Sequence, residues 1–332
     1  MAQALLLSAT PRGDESIENL QALVDLRERA ARDRFGVHSL TDDPEAADLI
    51  VFVEAYGAGF YFEKVRAHPL TSRYREKCFL FCCNPYVIPL LPGLYTGIEK
   101  PWASSRTVSG FYLGLTRNPF TTFAPPAEDL PYLYSFVGST QNAGVRGRLA
   151  TLVHPRGLVQ DTSADYKRVL HGEMNARERR DYDRRYAEAT KASKFVLCPR
   201  GISVSSIRVF ETMSMGRVPV ILSDDWVPPP GPSWDKFAIR VQESDWANVP
   251  RILEEREHEA VAMGQLARAQ WDEWFSDEVA FHRVVEWCLA IQQRRRLPES
   301  LARWPVYLQF LRRFHLRRIV GARLRALSGA RR

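Results

Sequence analysis

Residues 194–224, Lys194-FVLCPRGISVSSIRVFETMSMGRVPVILS-Asp224, decide the fold. Phe195 to Cys198 is a short apolar run of the length and character of a buried strand, and Pro199-Arg200-Gly201 breaks it. The spacing then predicts a helix over Ser203 to Met215. Gly216 sits where a left-handed helix end needs a residue without Cβ, and Val218 to Leu222 is a second apolar run suited to a buried parallel strand. The unit is strand, turn, helix, strand.

At 100° per residue, Ile207, Val209, Phe210 and Met213 fall on one side of this helix and Ser205, Arg208, Glu211 and Thr212 on the other. Two readings of the polar ridge compete. A phosphate-bearing ligand would meet free N–H groups and the positive dipole end at the helix start, with Arg208 forked onto phosphate oxygens and Glu211 accepting from ribose hydroxyls. The plainer reading is a solvated face with an i,i+3 Arg–Glu pair of a few tenths of a kcal/mol.

The run Pro-Arg-Gly (199–201), then Ser205-x-x-Arg208-x-x-Glu211, then Gly216-x-Val-Pro-Val-Ile-Leu-Ser-Asp224 resembles the signature of exostosin-like glycosyltransferases. The likeness continues through Trp234 to Val241 and, more weakly, to Trp274-Phe275. Upstream, Tyr134 to Ser139 with Val145-Arg146-Gly147-Arg148 is similar to the opening of that family's nucleotide-binding domain. The resemblance implies two Rossmann-like α/β domains facing a central cleft (GT-B type), and inverting transfer of a sugar from a nucleotide-diphosphate sugar, UDP-linked, to a glycan or lipid-linked acceptor. It implies a donor site of Gly138, Ser139, Arg146, Arg200, Gly201, Ser205, Ser206, Arg208 and Glu211. It also implies that the leaving diphosphate is held without a metal and without a cofactor. A fucosyltransferase-like enzyme using a GDP-sugar also ends its donor segment in a Val-Pro-Val strand, and a glycan-binding protein without turnover is the alternative outside the class.

Working outward, 332 residues suit two domains, each with its own core. The expected division is 1–130, an acceptor-side domain; 131–293, the nucleotide-sugar domain; and 294–332, a basic amphipathic helical tail. Ala4 to Ser8, Leu49 to Val53 and Cys78 to Cys83 read as strands separated by a helix-like stretch, Ser16 to Phe35, which predicts a parallel sheet whose ligands approach beyond the strand ends. Glu54 directly follows one strand and precedes Ala-Tyr-Gly-Ala-Gly-Phe-Tyr-Phe, a stretch suited to stacking on sugar rings or simply to a loop over the sheet end. Glu54 is the candidate base that deprotonates the acceptor, with Asp14 in a corresponding position. Ala176 to Lys191, rich in arginine and glutamate, reads as a solvated helix.

Charge is concentrated at one end. From Arg294 onward twelve arginines face one acid, Glu299, so this segment carries +11 of a net +7 and residues 1–293 carry −4. No nucleic-acid module accompanies the basic run. Val306 to Leu327 reads as an amphipathic helix that either packs back across the first domain or lies on an anionic membrane face, the second being favoured. Met1 to Ala9 lacks a basic flank and is cut by Pro11, so it reads as a strand rather than a signal peptide. Five cysteines, an odd number, suit a reducing cytosol, which places the protein in the cytoplasm or peripherally on the inner membrane face. No CxxC pair or His–Cys cluster has metal spacing, and the adjacent Asp224 and Asp225 read as loop and helix-start residues.

Overall fold

The computed structural model describes residues 1–10, 17–55, 59–85, 87–113 and 118–329. The described strands form two parallel sheets. The first has β1 (Gln3–Leu7), β2 (Ser39–Leu40), β3 (Leu49–Val53), β4 (Cys78–Cys82), β5 (Gly93–Tyr95) and β6 (Thr107–Val108) in the order β2-β1-β3-β4-β5-β6. The second has β7 (Tyr132–Gly138), β8 (Gly157–Asp161), β9 (Ser193–Pro199), β10 (Val218–Leu222) and β11 (Ile239–Arg240) in the order β11-β10-β9-β7-β8. Pairs in register, such as Leu5 with Ile50 and Val220 with Leu197, all run parallel. This is the two-sheet α/β architecture that the resemblance implies. The central strands are continuous apolar runs, LIVFV, CFLFC and VPVIL, because helices cover both sheet faces and no side of these strands meets water.

In an open sheet of this kind the strand order reverses once, and ligands bind at that switch beyond the carboxyl ends. The first sheet reverses between β1 and β3, the second between β7 and β9. Glu54 stands at the first switch. Gly138, Ser139, Pro199 and Arg200 stand at the second.

The lobes touch where the 200–206 loop approaches the first. A Cβ on Gly97 would come within 3.0 Å of Ser203 Oγ, and Lys100 donates its N–H to Asp225 O at 2.9 Å. The rings of Tyr112 and Phe210 meet edge to face at 5.9 Å. Helix Ala280–Arg294 lies within the 131–293 segment yet packs under the first sheet, its buried Trp287 against Phe111. The chain therefore crosses back to its starting lobe before residue 294.

The tail continues on that lobe. Val306 packs with Tyr61, Ile88 and Leu90, and Tyr61 hydrogen-bonds His315 Nδ1 through its hydroxyl at 2.6 Å. Arg106, buried, is bound to the Glu299 carboxylate and donates to Pro89 O and Leu90 O at 3.1 and 3.2 Å. The expected single helix over 306–327 is two pieces, a 3-10 segment Trp304–Leu311 and a helix Arg313–Gly329. Arg312 between them is extended, and its guanidinium reaches Glu99 at 2.8 Å. Among the described residues no helix is long and apolar enough to cross a membrane. All five cysteines are free and buried.

Candidate functional site

The helix that follows β9 runs Ile207–Ser214, four residues later at its start than the periodicity suggests. Residues 202–206 are extended or bent because the chain must turn at Gly201 and feed three serines toward the neighbouring lobe. Ser206 is the N-cap, with φ −134° and ψ 129°, and its side chain makes no capping bond. Ser205 Oγ is buried and faces the Tyr112 hydroxyl, while Ser206 Oγ is buried with no hydrogen-bond partner among the described residues. An orphaned hydroxyl at a helix start is costly, about 1–3 kcal/mol. At the other end Gly216, φ 73°, closes the helix as its position in the sequence requires.

Val209, Phe210 and Met213 enter the core, while Ile207 from the same face is half-buried outside it and Thr212 from the polar face is buried. The polar face is neither bulk solvent nor a simple Arg–Glu pair. Arg208 donates from Nε and Nη2 to Val137 O, at 3.2 and 2.9 Å, capping the end of β7. Its guanidinium lies over Phe136 and Tyr186 at 5.6 and 5.7 Å. Gly138 is small for this reason: a Cβ there would lie 2.2 Å from Arg208 Nη2. Glu211 accepts from Tyr186 Oη at 2.7 Å, and burial raises its carboxyl above the ordinary range, opposed by the Tyr186 hydrogen bond and by Arg208. Tyr186, on helix Ala176–Lys191, is a site residue whose role no spacing revealed, because it is set by how that helix docks on β7 and β9.

Arg146 is buried, with 5% exposure. It donates to Ser139 O at 3.2 Å, Pro199 O at 3.2 Å and Arg200 O at 2.8 Å, so it ties together the two strand ends that define the switch. Among the described residues its hydrogen bonds run only to carbonyls. Burial first, and the charge of Arg208 second, push its pKa down to about 9, which leaves it cationic at neutral pH. Gly201 leaves room for it, since a Cβ would stand 3.2 Å from Arg146 Nη2. Arg200 is half-exposed and paired with Glu243 at 2.9 Å. Ser139 Oγ is 3.1 Å from Ser163 Oγ. The nine expected donor-site residues thus gather at the second switch. Gly138 leaves room for the Arg208 guanidinium and Gly201 for that of Arg146.

Glu54 is fully buried. Its oxygens accept from Ser8 Oγ at 3.0 Å, from Thr10 Oγ1 at 3.2 Å and from the Ala9 N–H. Desolvation raises its pKa, with these bonds opposing. A buried carboxylate held by three donors latches the end of β1 to β3. Asp14 lies outside the described residues.

Residues 122–256 match the family model of the Exostosin GT47 domain. This segment is similar to the Exostosin GT47 domain. It contains β7 to β11 and therefore the whole of the second switch. The chain is 33% identical over 132 residues to an Exostosin-1 homolog of Caenorhabditis elegans, covering 37% of this chain and 35% of that protein. It is 23% identical over 218 residues to Ribitol-5-phosphate xylosyltransferase 1 of Danio rerio, covering 59% and 49%. The chain thus spans half or less of the length of these relatives. Among solved structures it is similar to Anabaena HepE in complex with UDP-glucose, at 11% identity, 86% and 99% coverage and a TM-score of 0.39. MurG of Acinetobacter baumannii gives 11% identity, 87% and 99% coverage and a TM-score of 0.40. At these scores the fold rests on the two parallel sheets themselves.

Proposed function

We propose that the chain is an inverting glycosyltransferase that binds the diphosphate of a nucleotide sugar, uridine-linked, at the second switch. The observation that carries this reading is an excess of positive charge and an unmet donor at one place. Arg146 and Arg208 lie beside each other with no ion pair to a carboxylate among the described residues, and the Ser206 hydroxyl is unpartnered at a helix start. A diphosphate supplies the missing acceptor and the missing negative charge together. Glu211, held by Tyr186, is one turn further along and is placed to accept from ribose hydroxyls.

Inverting transfer needs the charge that develops on the leaving diphosphate to be held in place. Arg208, Arg200 and the start of the 207–214 helix provide that without a divalent ion, so chelator is expected to leave transfer unchanged. The relatives are named exostosins and a xylosyltransferase, which supports sugar transfer; the glycan or lipid-linked acceptor and the place in surface polysaccharide synthesis are part of the proposal. Titration of the full chain with UDP, GDP and an unbranched oligosaccharide tests the reading. Saturable binding of UDP supports it. Binding of GDP alone would favour the fucosyl-type alternative, and binding of oligosaccharide alone would leave a non-catalytic glycan binder.

The acceptor side is proposed to work at the inner face of a membrane. Leu301, Trp304, Leu308 and Leu311 are 55–67% exposed along the tail, beside Arg303, Arg312 and Arg313, a pairing of apolar and cationic groups that suits acidic lipid headgroups. Co-sedimentation with phosphatidylglycerol vesicles, lost in a Leu308→Asp/Leu311→Asp variant that still binds UDP, is the expected result. Equal binding by both proteins would refute the membrane contact.

A further inference from the structure

Away from the second switch, a group of side chains that neither lobe's ligand chemistry uses has the composition of a metal site. Helix Ala280–Arg294 presents His282 and Glu286, four residues apart and so on one face. Across from them, His38 stands between the first helix, Ile17–Ala31, and β2. Ligand atoms of His38, His282 and Glu286 all lie within 4.8 Å of one another. His38 Nε2 is 2.7 Å from Glu286 Oε1, and the two imidazole rings are centred 4.9 Å apart. Phe35 stacks on His282 at 4.1 Å and fixes its plane.

A second observation points the same way. His38 and His282 are 8% and 9% exposed, and Nδ1 of each is buried with no hydrogen-bond partner among the described residues. Asp33 Oδ1, on the same loop as Phe35, is likewise buried and unpartnered, while its Oδ2 accepts from Gly36 N at 3.1 Å. An ion held through Nε2 of His38 leaves the Nδ1 of that ring unmet, so it is the buried, unpartnered Nδ1 of His282 that asks for a ligand. Aromatic or aliphatic residues of similar size would fill the space without the desolvation penalty.

The charges that face the group are mixed. Arg283 lies over Phe35 and Trp274 and donates to Glu273 O, and Arg34 lies over Phe35, so both guanidiniums are engaged on rings or carbonyls. Glu286 and Asp33 supply the negative charge. Glu286 is 47% exposed at its side chain, which gives an ion a way in and leaves room for water.

We propose that His38, His282 and Glu286 bind one divalent transition-metal ion, zinc by the class of its donors, as a staple between the loop after the first helix and helix 280–294. Two imidazoles and one carboxylate with an open fourth position match zinc's preference for nitrogen and oxygen ligands at about 2.0–2.2 Å in tetrahedral array. Such an array separates its ligand atoms by about 3.3 Å, so the His38–Glu286 contact opens slightly and the His282 ring closes in. The ion would hold the edge strand β2, whose Ser39 N–H donates to Ala2 O, against the helix that brings the chain back onto the first lobe. The site shares no residue with the second switch, so it stands or falls separately from the donor-site reading.

Zinc alone, titrated into the full chain after chelator treatment and followed by competition with a chromophoric chelator and by thermal melting, tests the proposal. One equivalent is expected to bind and to raise Tm, with UDP affinity unchanged. Cobalt(II) in the same site is expected to show the visible d–d bands of a low-coordinate N/O complex. Glu286→Gln, on the exposed rim, is expected to fold and to bind at least about ten-fold more weakly, and His282→Ala about a hundred-fold or more. Should His282→Ala fail to fold, Glu286→Gln alone decides. No saturable zinc binding by the wild type at micromolar concentrations, or one equivalent bound equally well by Glu286→Gln, overturns the proposal.

Discussion

Replacing Arg208 with alanine separates the two jobs that its geometry combines. In the free protein the change removes two hydrogen bonds to Val137 O and the contacts over Phe136 and Tyr186. A buried carbonyl left without a donor costs about 1–3 kcal/mol. At about 2–4 °C per kcal/mol for a chain of this order of size, Tm should fall by roughly 2–12 °C. In the complex the loss is additional, because a charge-assisted contact to phosphate contributes about 1.5–3 kcal/mol. That corresponds to roughly 10- to 150-fold weaker binding of UDP. Glu211 also responds: Arg208 is one of the groups that hold its raised carboxyl down, so Arg208→Ala lets it rise further and protonate at a higher pH. UDP affinity of the variant should therefore decline as pH is lowered over a range in which the wild type is steady. The assay is calorimetric titration with UDP at several pH values, with melting of the unliganded protein beside it. Arg208→Lys keeps the charge without the fork and should fall between the two. A folded Arg208→Ala protein that binds UDP within about two-fold of wild type would refute the placement of the diphosphate.

Other outcomes follow from contacts elsewhere. Gly138→Ala brings a Cβ to 2.2 Å from Arg208 Nη2, so the guanidinium must move, and UDP affinity should drop about ten-fold with Arg208 still present. Glu257 accepts from both Nη atoms of Arg156 at 2.6 Å and from Lys194 at 2.7 Å, which hold its carboxyl down to about 2. A depressed acid stabilises the fold above its ordinary pKa and loses that contribution as pH falls, so Glu257→Gln should cost about 1–2 kcal/mol at neutral pH, and urea denaturation should show the gap closing between about pH 4.5 and 2. Glu299→Ala leaves Arg106 buried and without its carboxylate, which should destabilise by about 3–5 kcal/mol in the same assay.

Much of the fold could be read along the chain. Continuous apolar runs at Leu49–Val53, Cys78–Cys82, Phe195–Cys198 and Val218–Leu222 are strands because strands covered on both faces have no polar side to show. The charged helix 176–191 was legible to the residue from its composition, and in the structure Asn175 and Glu178 close its start as a capping box. The helix after Gly201 was read too long at its start. Ser203 to Ser206 have helical company in the sequence, but their backbone is shaped by the neighbouring lobe.

What the sequence by itself determined is the local chemistry: which runs are buried strands, which helix carries Ser205, Arg208 and Glu211, and where Gly216 ends it. These depend on residues a few positions apart. What only the tertiary structure decided is which strand ends meet and which polar groups they bring. It placed Arg146 across Ser139 and Pro199, gave Glu211 to Tyr186, enclosed Glu54 behind Ser8 and Thr10, and set His38 beside His282. Hydrogen bonding and desolvation act over a few ångströms in space, and residues 244 positions apart can satisfy that distance only after the chain has packed.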